Sequence, residues 1–239
     1  VMKKAVGWLL AFFLLIILFT YKLPEHSSWS TWTLPLAGTV IAIDPGHGGI
    51  DGGAVSKDGL VTEKDVTLTI SLYLRDFLQQ SGAFVMMTRE EDKDLASPEA
   101  GRLGKRKSED IRNRVRFVNE HSPDFLISIH ANSFPSPRWS GAQTFYYPAY
   151  KESGDLAYLI QDEIRRVLEN TDRLPKKTDD VFLIREVQCP SVLVEVGFLS
   201  NPQEASQLKK DEYQKAMANA IYQGILRHFA GEKVPPANA

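Results

Sequence analysis

The chain has 239 residues, 43% of them hydrophobic and 24% charged, a composition that suits one folded domain with a small appendage and excludes a disordered chain. A net charge of -2, from 28 basic and 30 acidic residues, gives no electrostatic pull toward nucleic acid, so nucleic-acid binding is set aside. The one cysteine, Cys189, rules out an internal disulfide and, standing before Pro190 in an apolar stretch, reads as a buried, inert thiol.

In chain order, Lys3 and Lys4 precede an uncharged run from Ala5 to Tyr21 that Lys22 closes. A spanning helix needs roughly 17 to 25 apolar residues, and the following stretch, Lys22 to Trp32, offers no Ala-x-Ala cleavage site. An uncleaved membrane anchor over residues 1–21 is therefore expected in preference to a removed signal peptide. Lysines on its leading side place the rest of the chain outside the cytoplasm. Residues 22–37, with Pro24, Ser27, Ser28, Ser30 and Pro35, read as a linker. A globular domain is expected over 38–230, and a flexible tail over 231–239.

Within the domain, short apolar or β-branched runs alternate with longer amphipathic ones, the pattern of an α/β fold: a single, mostly parallel twisted sheet flanked by helices. Predicted strands are Thr39 to Asp44, Phe84 to Thr88, Phe125 to His130, Gln143 to Tyr147, Val181 to Ile184 and Ser191 to Val196. Several are apolar almost throughout, as strands covered on both faces are. One helical stripe joins Val66, Ile70, Leu74, Phe77 and Leu78, and another Tyr213, Met217, Ala220, Ile221 and Ile225. Further helices are predicted from Glu109 to Glu120 and from Gly154 to Asn170. A short one begins at Asn201-Pro202, where Asn caps and Pro takes the first helical position.

Three predicted strands run into polar residues. The first continues into Pro45-Gly46-His47-Gly48-Gly49, the third ends at His130, and the last carries Glu195 between Val194 and Val196. Ligands in open α/β sheets bind beyond the carboxyl ends of the strands, so function is expected there. The glycine loop matches neither common phosphate-cradle pattern. A catalytic metal needs three protein ligands and one open position. His47 and His130 offer two imidazoles, and the third ligand is a carboxylate or another histidine. His26 lies in the linker, His121 precedes a turn and His228 sits on the last helix, so Glu63, at the start of a helix, fits better. Glu195 is then left free as a general base, and an ionised carboxylate in so apolar a strand is costly without a partner. Against this stands a structural reading, in which each histidine is hydrogen-bonded and Glu63 only complements a helix N-terminus.

The runs Ile43-Asp44-Pro45-Gly46-His47-Gly48-Gly49 with Asp51-Gly52-Gly53-Ala54, Glu63-Lys64-Asp65-Val66, Ser128-Ile129-His130-Ala131-Asn132 and Leu193-Val194-Glu195-Val196-Gly197-Phe198-Leu199-Ser200-Asn201 resemble the zinc-dependent N-acetylmuramoyl-L-alanine amidases. The resemblance spans Gly38 to Phe229. It implies one Zn2+ held by His47, Glu63 and His130, Glu195 as general base, and peptidoglycan as substrate. The layout, with Trp139-Ser140-Gly141-Ala142-Gln143 and Ile160-Gln161-Asp162-Glu163, is most similar to the germination-specific branch that acts on spore cortex during muramic-δ-lactam formation. That branch implies a peptidoglycan deacetylase acting next and, in some relatives, a lipoprotein adaptor. Asn132 and Arg185 are expected to orient substrate, Arg185 through stem-peptide carboxylates.

Overall fold

The computed structural model describes residues 6–8, 12–16 and 34–235. The chain divides into two compact units, Val1–Thr33 and Leu34–Ala239. In the first, the described residues are helical. Among the described residues no helix is long and apolar enough to cross a membrane, and most of the expected anchor and linker lies outside them. The second unit begins at Leu34 because Leu36 is fully buried and its amide donates to the Ser81 carbonyl.

The second unit is a three-layer α/β domain. Its sheet comprises β1 (Val40–Pro45), β2 (Phe84–Met87), β3 (Phe125–Asn132), β4 (Gln143–Tyr146), β5 (Lys176–Lys177) and β6 (Ser191–Phe198), in the order β2-β1-β3-β6-β4-β5. All neighbouring pairs are parallel except β4 with β6, so the expected mostly parallel sheet is present as a mixed one. The helices are α1 (Glu63–Gln80), α2 (Leu103–His121), α3 (Lys151–Leu168), α4 (Phe182–Glu186), α5 (Pro202–Leu208) and α6 (Asp211–Phe229).

Side-chain alternation divides the strands between two unequal layers. Ile41, Ile43, Ile127, Ile129, Val192 and Val194 face the larger core, which α1, α3 and α6 cover. On α1 the predicted stripe places Ile70, Leu74 and Leu78 wholly out of water, each contributing about 2 kcal/mol of apolar burial. The opposite face carries a small cluster in which Ala42 and Leu126 meet Val118 of α2 and Leu183 of α4. Asp44, Ser128, His130 and Glu195 belong to that face by the same alternation, so its polar end lies where the parallel strands terminate.

Two elements depart from the sequence expectations. Val181 to Ile184, expected as a strand, is replaced by helix α4, whose Leu183 and Ile184 are both 2% exposed. An apolar run this short fits either state, and packing against α2 decides it. Strand β5 is two exposed lysines, too short and too polar to leave a periodic signal. Asn201 caps α5 as expected, its side chain accepting from the amides of Gln203 and Glu204.

Candidate active site

Three elements converge beyond the carboxyl ends of β1 and β3. The loop after β1 carries His47 in the left-handed region at φ 62°. The first residue of α1 is Glu63, and His130 lies near the end of β3. One ligand atom from each of His47, Glu63 and His130 lies within 4.8 Å of the others. Glu63 bridges the pair, with Oε2 3.1 Å from His47 Nε2 and Oε1 3.0 Å from His130 Nδ1. The two imidazoles meet edge to face, 5.1 Å between centroids.

Each member of this trio is held from behind. Glu63 accepts from the amides of Ala54 at 2.8 Å and Ala131 at 3.0 Å. His47 Nδ1 meets Asp51 Oδ2 at 2.8 Å, an arrangement that fixes the ring and leaves Nε2 for the centre. Asp51 is itself paired with Lys107 at 2.7 Å. Glycines make the approach possible. A Cβ on Gly46 would come within 2.4 Å of His130 Cε1, and one on Gly53, at φ 67°, within 2.5 Å of Glu63 Oε2.

Behind the loop two buried arginines, Arg89 and Arg114, each 1% exposed, take up its carbonyls. Arg114 donates to the carbonyls of Pro45 at 2.8 Å and His47 at 2.6 Å, while Arg89 donates to those of Pro45 and Gly46 at 3.0 Å. Asp44 and Asp110 neutralise Arg114 at 2.7 and 2.8 Å. Burial works against the Asp44 carboxylate, but Arg114 and His130 outweigh it and hold its pKa at about 2. The Asp51, Arg89 and Arg114 contributions were not singled out in the sequence. The only sequence signals were an aspartate ending an apolar strand and an Asp110-Arg114 pair at helical i,i+4 spacing.

The electrostatics favour a cation at the centre. Burial raises the Glu63 pKa, yet hydrogen bonds from His130 and His47 prevail and keep the carboxyl well below its usual range. Burial likewise opposes protonation of His130, but Glu63 lifts its pKa to about 9. Two nitrogens and a carboxylate oxygen at this spacing match the donor set of a catalytic zinc site.

Beside the trio, β3 and β6 pair His130 directly with Glu195. Glu195 Oε2 is buried and has no hydrogen-bond partner. Burial pushes its pKa up to about 7, against the pull of His130, which suits a group that must accept and release a proton. A cleft of about 310 Å3 opens alongside, lined among others by His47, Asp51, Lys107 and His130.

A family model described as N-acetylmuramoyl-L-alanine amidase matches residues 41–227, which takes in every residue of this cluster. The chain belongs to the N-acetylmuramoyl-L-alanine amidase family. It is 49% identical, over 98% of its own length and 100% of the relative's, to the germination-specific N-acetylmuramoyl-L-alanine amidase of Bacillus subtilis. Its fold is similar to that of the CwlD amidase from Clostridioides difficile, solved in complex with the GerS lipoprotein, with TM-score 0.79 and 38% identity over 81% of this chain and 100% of that one. An N-acetylmuramoyl-L-alanine amidase from Clostridium difficile 630 superposes with TM-score 0.71 at 29% identity, covering 82% of this chain and 98% of that one. The chain is an amidase of this family.

Of the two residues expected to orient substrate, Asn132 ends β3 and its carbonyl accepts from Leu199, two positions beyond His130. Arg185 is not brought to the cluster. It sits on α4 with its guanidinium donating to Glu186 at 2.9 Å and to the Asp179 carbonyl at 2.9 Å, over the Phe182 ring. Those contacts engage Nε and Nη1 of its exposed guanidinium, and the role expected for it toward substrate carboxylates stays a proposal.

Proposed function

We propose that this amidase uses one zinc ion, held by His47, Glu63 and His130, to cut the amide between N-acetylmuramic acid and L-alanine in spore-cortex peptidoglycan. The observation that carries the mechanism is the orphaned, buried Oε2 of Glu195 paired across the sheet with His130. When bound, zinc supplies Lewis acidity, which acidifies water and polarises the scissile carbonyl. Glu195 accepts the proton of the attacking water at Oε2 and hands it to the departing L-alanine nitrogen, so the leaving group departs as a neutral amine. Asp51 keeps His47 in one tautomer and orientation, and Asn132 orients the lactyl-peptide arm at the end of β3.

The wider setting is part of the same proposal. Residues 1–21 tether the catalytic domain outside the cytoplasm, with a linker up to Thr33, the catalytic domain from Leu34 to residue 230 and 231–239 as tail. A lipoprotein adaptor of the kind in the Clostridioides difficile complex assists it, and a peptidoglycan deacetylase acts on its product. The 49% identity to a germination-specific amidase over nearly the whole chain supports this setting.

Mass spectrometry of cortex peptidoglycan treated with the zinc-loaded protein tests the reading. Whole stem peptides with a free L-alanine amine are expected, and none with Glu195→Gln. Peptides cut internally would transfer the site to a stem-peptide peptidase.

A further inference from the structure

On the α2 side of the sheet the small apolar cluster reaches only as far as α4, and the row of residues in register continues past it. His130 of β3 pairs with Glu195 of β6, and Glu195 pairs with Gln143 of β4. Paired residues present side chains to the same face, and each strand adds about 4.8 Å. Gln143 therefore stands roughly 10 Å from His130, half-buried, on the same face as Glu195. Its Oε1 accepts from Arg173 at 3.3 Å, and Arg173 stacks over Phe198 with 5.4 Å to the ring centroid.

A cluster of rings borders this guanidinium. Phe134 lies 6.2 Å from both Phe198 and Trp139, and Arg138 covers Trp139 at 5.6 Å. Phe134 is 51% exposed and Trp139 42%, an apolar area left in water on the loop that follows the His130 strand. The loop that presents them is fastened at both ends. The Phe134 amide donates to Ser200 Oγ at 3.1 Å, Asn201 donates to the Trp139 carbonyl at 3.2 Å, and Glu204 accepts from the amides of Gly141 and Phe198 at 2.9 and 2.8 Å. Next to the rings lies a polar cleft of about 530 Å3 lined among others by Ser140, Asn170, Asp172 and Arg173.

We infer that Trp139 and Phe134, with Gln143 and Arg173, form a subsite for an N-acetylhexosamine ring of the glycan strand, one sugar removed from the muramic acid whose amide is cut. This rests on the amidase reading above and extends it along the polymer. An exposed ring with hydrogen-bonding side chains beside it matches a pyranose, which has an apolar face and a rim of hydroxyl and acetamido groups. A stem peptide fits less well. Arg173, the guanidinium nearest the row, already serves the Ser140 carbonyl at 3.0 Å, Gln143 and the Phe198 face, which leaves it poorly placed to clamp a carboxylate. Affinity at this subsite favours chains over single muramyl peptides.

The chain has four tryptophans, Trp8, Trp29, Trp32 and Trp139. In the full chain in detergent micelles, W8F, W29F and W32F together leave Trp139 as sole emitter. Titration with chitotetraose is expected to shift its emission, and titration with free stem peptide to leave it unmoved. In the otherwise unaltered chain, Trp139→Ala should raise KM about tenfold on a four-sugar muramyl-peptide substrate with kcat unmoved. Its KM on a one-sugar muramyl peptide should change less than about twofold, and Trp139→Phe should recover most of the loss. Emission that answers to the peptide or to neither ligand, or an equal KM change on both substrates, would overturn the subsite. Failure of the unaltered chain to release stem peptides would instead sink the amidase reading, since the fluorescence titration needs no turnover.

Discussion

Glu195, the proposed base, gives the most direct test of whether a proton-accepting carboxylate is stored at a cost to the fold. Its pKa rises from an ordinary 4.5 to about 7 on folding because the carboxylate is buried. The folded state therefore binds the proton more tightly than the unfolded chain. Stability is unaffected below about pH 4.5, is lost as pH rises through the window to about 7, and stays lost above it. At about 1.36 kcal/mol per unit, the deficit levels off near 3 kcal/mol. Glu195→Gln removes the ionisation and keeps the shape. In zinc-free protein the variant should melt about 6–12 °C above the unaltered chain near pH 8, with the two nearly equal near pH 4.5. Hydrolysis by the zinc-loaded variant should fall at least about 100-fold. Thermal unfolding followed by circular dichroism at the two pH values decides the matter. A variant no more stable near pH 8, or equally favoured at both, would refute the claim that burial sets this pKa.

Metal uptake carries a second signature. With His130 lifted to about 9, the zinc-free imidazole is protonated near pH 7 and must lose that proton to become a ligand. Calorimetry in buffers of different ionisation enthalpy should therefore record about one proton released per zinc, and no release would contradict the pairing with Glu63. Asp51→Ala frees the back of His47 and should weaken zinc binding about 10- to 100-fold, measured by competition with a chelator, while the fold is kept. Gly46→Ala drives a methyl into the His130 ring, and zinc stoichiometry should fall toward zero. Arg114→Ala strands Asp44, 1% exposed, without its cation, and should cost about 3–5 kcal/mol in denaturant unfolding.

Much of the fold was legible because its signals are local. The stripe on α1, the Asn201-Pro202 start of α5 and the apolar strands β1, β3 and β6 declare themselves in adjacent residues. What failed to declare itself depends on neighbours distant in sequence. Val181 to Ile184 reads as a strand by composition and becomes α4 because it packs on α2, and β5 exists only because β4 offers it an edge. Arg185 shows the same limit at the level of a side chain, since a basic residue in an apolar stretch gives no hint of what will occupy its donors.

For the site, the sequence alone determined which residue types were present and, by four motifs in order, the family that uses them. The chemistry of a histidine or a glutamate is intrinsic to it, and strand-terminal placement follows from the chain pattern. Only the tertiary structure decided that Glu63 meets both histidines, although it lies 67 residues from His130. It likewise fixed Asp51 behind His47, Glu195 Oε2 without a partner, and Arg173 between Gln143 and the Phe198 ring. These are relations across the sheet and between loops. They are set by register, by the glycine clearances at Gly46 and Gly53, and by two buried arginines that hold three successive carbonyls, and none of these is local in the chain.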